Sequence, residues 1–175
     1  MLPEYDFNQG VRGSQQQKYF LSLAGEFYVA AELHRRGIYA SVTYGAAKNA
    51  DVLVFDQSTG QTAVVEVKTT ASPNQKWLTG AHSLNKESVQ PHIFWVLVLL
   101  PAENTLGSPR YFVMSSEELV QEASARFQQY SQKYQEKHGV SYPPEKGVHG
   151  LTLSDVEALQ CEDQWSKITN WLQRK

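Results

Sequence analysis

At 175 residues, with 41% hydrophobic and 11% aromatic side chains, the chain is long enough for one packed domain and too apolar for global disorder. Its formal net charge of −2 argues against a protein that coats nucleic acid through bulk positive charge, so any such contact needs a local patch or a metal. The single cysteine, Cys161, excludes an intramolecular disulfide and the thiolate zinc patterns.

Residues 1–15 read as a loose, polar leader without an apolar signal-like core. Over 16–36, Phe20, Leu23, Phe27, Ala30 and Leu33 recur at three- and four-residue steps, the spacing of a helix with one apolar stripe. Arg35, Arg36 and Gly37 suit its carboxyl end. A first strand is expected over 38–44, where Ile38, Ala40 and Val42 alternate with other residues, then a turn over 45–49. Residues 51–55 and 62–69 read as the two strands of a hairpin closed by a loop at 56–60. The polar segment 72–91 reads as a long surface stretch with one short helix.

Residues 93–100, apolar and β-branched, predict a central strand buried on both faces. They are too short a run to span a bilayer, which points to a soluble, cytoplasmic protein. Another strand follows at 111–114. Ser115 and Ser116 before Glu117 and Glu118 then predict a capped helix reaching about residue 138, its second half strongly polar. After Pro143-Pro144 come a short strand at 151–154 and helices at 155–161 and 165–172. This order predicts an α/β layer with a mixed sheet. The expected organisation is a core with its following helix over 16–138, and a carboxy-terminal helical extension over 139–175 packing on it, as a single domain.

The chemistry-bearing residues cluster early. Glu26 precedes Ala30 by four residues and Leu33 by seven, which places a carboxylate on the apolar stripe, where desolvation costs several kcal/mol, roughly, unless it is paired or metal-bound. Asp51 opens one hairpin strand. Glu66 interrupts Ala63-Val64-Val65 and Val67 on the next, with Lys68 on the same face. Plain structural roles exist for each: an edge-of-stripe Glu26 reaching solvent, a turn aspartate, a Glu66–Lys68 pair on an exposed sheet. Two carboxylates and an ammonium at a sheet rim also form a group able to hold a divalent metal and orient a water.

Helix with Gly25-Glu26, then Asn49-Ala50-Asp51, then Glu66-Val67-Lys68-Thr69-Thr70: this succession resembles the PD-(D/E)XK nuclease superfamily over about residues 21–114. The resemblance implies a restriction-endonuclease-like three-layer core, a mixed central sheet flanked by helices. It also implies Mg²⁺ (or Mn²⁺) bound by Asp51, Glu66 and the Val67 carbonyl, with Glu26 as a direct or water-mediated ligand. Lys68 would orient and help deprotonate the attacking water. Ala50 stands where the family pattern has proline, a position without a direct chemical duty. Lys48, Thr69, Lys76 and Trp77 are the candidates for substrate contact, although Trp77 also reads as a packing residue and each lysine as a solvated charge.

Competing chemistries lack their residues. There is no His-Glu-x-x-His, no Gly-x-Ser-x-Gly and no phosphate-binding glycine loop, and a glycosidase has no role for the adjacent lysine. The leading expectation is a Mg²⁺-dependent endonuclease acting on DNA in defence, repair or mobile-element biology, with a homodimer as one way to cut both strands. The other is a non-catalytic binding, immunity or accessory protein on the same fold, with a protein partner.

Overall fold

In the computed structural model, residues 12–43, 50–102, 105–143, 147 and 149–174 are described. The first element is helix α1 (Arg12–Arg35), which begins ahead of the expected residue 16. Residues 12–15 of the expected leader are therefore helical, and the rest of it lies outside the described residues. Gly37, at φ 76°, ends the helix in the left-handed conformation that glycine adopts without steric cost.

The buried side of α1 is carried by Gly25, Val29, Ala30 and Leu33. Phe20 and Phe27, assigned to the apolar stripe from spacing, are instead 55% and 46% exposed. Tyr19, Phe20, Phe27 and Tyr28 are all exposed, and the last three occupy the half of the helix away from that buried side, so apolar spacing alone points the stripe partly the wrong way. Glu26 keeps its place beside the buried side, with Val29, Ala30 and Leu33 following it at three, four and seven residues.

Seven strands follow among the described residues: β1 (Tyr39–Val42), β2 (Val52–Phe55), β3 (Thr62–Thr70), β4 (Trp77–Leu78), β5 (Ile93–Leu99), β6 (Arg110–Ser115) and β7 (Gly150–Leu151). Five of them make one sheet in the order β1-β2-β3-β5-β6, antiparallel throughout except for the parallel pair β3–β5. That parallel pair needs a crossover, supplied by the segment expected to lie on the surface. It contains β4, which pairs with β7, and two 3₁₀ turns, Ala81–Leu84 and Lys86–Ser88. It is partly internal: Trp77, Thr79 and Ser83 are buried.

Side-chain alternation gives the sheet two apolar faces. On one, Val52, Val54, Val65, Val67, Val96 and Val98 pack beneath α1 and the closing helix α4 (Ser166–Leu172). On the other, Trp95, Leu97, Phe112 and Met114 pack against Trp77, Leu151 and helix α2 (Ser116–His138). Strand β5 is buried on both faces, as its continuous apolar run predicts. Helix α2 starts at the expected cap: Ser115 accepts the N–H of Glu118 while the Glu118 carboxylate accepts the N–H of Ser115.

The carboxy-terminal residues straddle the β6 edge. Short helix α3 (Leu153–Ala158) joins the α2 face through Val156, whereas α4 joins the α1 face through Ile168 and Leu172. Between them the Val113 N–H donates to the Cys161 carbonyl and the Asp163 N–H to the Tyr111 carbonyl, which covers an otherwise unpaired strand edge. The architecture is thus a mixed five-stranded sheet with helices on both faces. Among the described residues no helix is long and apolar enough to cross a membrane.

Candidate active site

Strands β2 and β3 separate at Asp51. The Asp51 N–H still donates to the Val65 carbonyl, but its carboxylate Oδ2 takes over the next position and accepts the N–H of Val67 at 2.7 Å. In an extended strand the N–H and C=O of one residue point to the same side. The Val67 carbonyl therefore faces the same opening as the Asp51 carboxylate. Register settles the other face, where Glu66 lies opposite Trp95 and Lys68 opposite Leu97. Lys68 Nζ stands 3.4 Å from Glu66 Oε2 and 5.3 Å from the centre of the Trp95 ring.

Helix α1 completes the group because it approaches β3 closely. A Cβ at Gly25 would overlap Thr69 Oγ1, so only glycine lets the helix settle here and bring Glu26 toward Asp51. Gly25→Ala exchanges a gain in helix propensity of about 1 kcal/mol for overpacking of about 1–3 kcal/mol. The expected result is a lower melting temperature, and an unchanged one would show that the close approach is dispensable.

The three acids are electrostatically coupled. Burial pushes the Glu66 carboxyl up, opposed by the Lys68 ammonium; Asp51 pushes it further up, and His82 pulls it down. Glu26 is also raised, first by burial and then by Asp51, against a hydrogen bond from Ser22 and the charge of Lys68. A raised acid costs stability above its folded pKa and costs nothing below its unfolded pKa, where both states are protonated. Glu66→Gln should therefore raise the melting temperature of the metal-free protein at neutral pH. About 2–4 °C is the shift that 1 kcal/mol produces in a chain of this size. The difference should shrink as pH falls below the ordinary carboxylate range. An unchanged or lowered melting temperature at pH 7 would contradict this.

Among the described residues no three His, Cys, Asp or Glu side chains stand close enough to hold a metal ion by themselves. Mg²⁺ does not require such a cage: it keeps several waters and takes one or two carboxylates together with substrate phosphate. Asp51, Glu66 and the Val67 carbonyl are oxygen donors of the kind Mg²⁺ takes, and a cation beside Asp51 and Glu66 would relieve their mutual repulsion. By donor type the set fits the ion.

Two other expected contacts change meaning. Trp77 is 2% exposed and its indole N–H donates to the Val98 carbonyl at 3.0 Å, so it is a core residue and not a stacking surface. Thr69 Oγ1 is sealed against Gly25, with no hydrogen-bond partner among the described residues, so its hydroxyl is closed to substrate. Lys76 is exposed, and Lys48 lies outside the described residues.

His82 joins the group without any signal in the sequence. It lines a small cavity of about 150 Å³ with Glu66 and Trp95, its ring 5.8 Å from that of Trp95. The turn at Gly80 (φ 78°) brings it there, and an isolated histidine in a polar segment has no periodic or spacing signature. Compared with known protein families, curated proteins and solved structures, the chain finds no match.

Proposed function

We propose that the chain is a Mg²⁺-dependent nuclease of the PD-(D/E)XK type, with a restriction-endonuclease-like core, hydrolysing phosphodiester bonds in DNA. The observation that carries the reading is the fork at Asp51. There one carboxylate holds the Val67 N–H at 2.7 Å, while Glu66 and Lys68 project together from the adjoining stretch of strand. Asp51, Glu66 and the Val67 carbonyl are the proposed metal ligands, with Glu26 alongside, and Mn²⁺ can replace Mg²⁺. Bound there, the ion supplies charge on the phosphate and acidifies a water.

The residues of the chain do the rest. Lys68, held between Glu66 and Trp95, orients the water; in its neutral amine form it takes the water's proton, and the ammonium so formed offsets charge building on the phosphate. Water adds to phosphorus as one P–O ester bond breaks, leaving a phosphate monoester and an alcohol. The reading is tested by hydrolysis of DNA by the intact chain, dependent on Mg²⁺ and lost both with EDTA and in Glu66→Ala.

A second reading has one observation in its favour. Tyr39, Leu53 and Phe55 on β1 and β2 are 57%, 49% and 40% exposed, and they line an open apolar hollow on the sheet. Such a face suits a protein partner or a second copy of the chain. It is compatible with a homodimeric nuclease as well as with a non-catalytic binding or accessory protein. Retention of Glu26, Asp51, Glu66 and Lys68 together favours the enzyme.

A further inference from the structure

A second cavity, polar and aromatic, lies away from these acids, further along α2. It has a volume of about 320 Å³ and is walled by Phe127, Tyr130 and Tyr142, with Lys76, Arg126 and His149 around it. That volume sits at the lower end of small-ligand pockets, about 300–1,000 Å³, so it suits one small planar group.

The rings are set at steep angles to one another. Tyr130 meets Tyr142 at 90° with centres 5.0 Å apart, and Phe127 meets His149 at 69° and 5.3 Å. In each edge-on pair one ring gives its edge and the other one of its two faces, so the contact leaves further ring faces uncovered. Tyr130 is 52% exposed, so its ring is accessible to a flat guest. The charges are unequal. Arg126 is already spent on Glu122 at 2.6 Å and Asp155 at 3.2 Å, whereas Lys76 has no ion-pair partner among the described residues. A flat aromatic guest carrying one negative charge matches this arrangement.

Position links the cavity to the proposed chemistry. Leu119 and Val120 of α2 line the small cavity that holds Glu66, and Phe127 lines the aromatic one. Seven helical residues separate Val120 from Phe127, a rise of roughly 10 Å.

We infer that this pocket takes an unpaired nucleobase of the substrate strand, stacked on Tyr130 and Phe127 with its phosphate at Lys76, on the same face of α2 as the cavity lined by Glu66. A paired base has both faces covered by its neighbours and must leave the stack to enter such a pocket. The substrate class is therefore DNA with a single-stranded stretch beside the cut, such as a free single strand, an overhang or a flap. This inference rests on the nuclease reading for its substrate, but the pocket can be tested without cleavage.

The test uses the intact chain in EDTA, titrated into a single-stranded oligonucleotide carrying 2-aminopurine, and separately into a blunt duplex. The wild-type protein is expected to quench the probe. Tyr130→Ala is expected to weaken single-strand binding about tenfold, within the range for loss of one base stack, and to leave duplex binding unchanged, while Lys76→Ala weakens single-strand binding by loss of one phosphate contact. Absence of quenching by wild-type protein overturns the inference, as does equal binding by wild type and Tyr130→Ala. Cleavage of DNA with Mg²⁺, unaltered by Tyr130→Ala on every substrate, overturns it while leaving the nuclease reading intact. Quenching lost in Tyr130→Ala, in a protein that cuts nothing, keeps the base pocket and removes the nuclease.

Discussion

Lys68→Ala is expected to reduce cleavage about 10²–10⁴-fold, the usual worth of a positioned proton-transfer group, while the protein still melts cooperatively. The fold tolerates this change because Lys68 is one-third exposed and its contact with Glu66, at 3.4 Å, is long for an ion pair. Glu66→Ala should be at least as damaging, since it removes a proposed metal ligand as well as the partner of Lys68. Lys68→Arg separates two roles for the lysine. Arginine keeps the positive charge but does not exchange its proton near neutral pH. An arginine variant as inactive as Lys68→Ala identifies proton transfer as the contribution, and substantial recovery would assign it to charge alone. Full activity in Lys68→Ala would remove this residue from the chemistry.

Trp77→Ala should destabilise the fold more than any of the other substitutions, by about 3–5 kcal/mol. Its ring is 2% exposed, meets Phe112 edge-on at 5.7 Å, and ties β4 to the sheet through the hydrogen bond to Val98. Against a typical total of about 5–15 kcal/mol this loss is large, and a fall in melting temperature of roughly 10 °C is expected. Trp77→Phe should lie between the two, because it restores a ring and leaves the Val98 carbonyl without its donor. Were Trp77→Ala to melt like wild type and bind DNA more weakly, the residue would be a substrate platform after all.

Local patterns announced much of this molecule. The apolar run at 93–99 implied a strand buried on both faces, and Ser115 with Glu118 implied the start of α2. Alternation placed Glu66 and Lys68 on one face, where the structure has them 3.4 Å apart. What the sequence withheld depends on contacts distant along the chain. The packing reading of Trp77 holds, but the strand that pairs with it, β7, lies more than seventy residues later. Phe20 and Phe27 are exposed because α1 rotates to fit Gly25 against Thr69, a choice between two apolar faces that spacing does not make. His82 reaches Glu66 through a turn, and the aromatic cavity joins α2 to residues before β4 and after the proline pair. None of these has a one-dimensional signature.

The decisive measurement is cleavage of a panel of linear, supercoiled, single-stranded and branched DNA, with RNA alongside, by wild-type protein and Glu66→Ala in Mg²⁺, Mn²⁺ and EDTA. Metal-dependent cutting of at least one DNA substrate, absent in EDTA and in Glu66→Ala, is the predicted result. Cooperatively folded wild-type protein that cuts nothing in either metal, or cuts equally well after Glu66→Ala, would contradict the proposed active site.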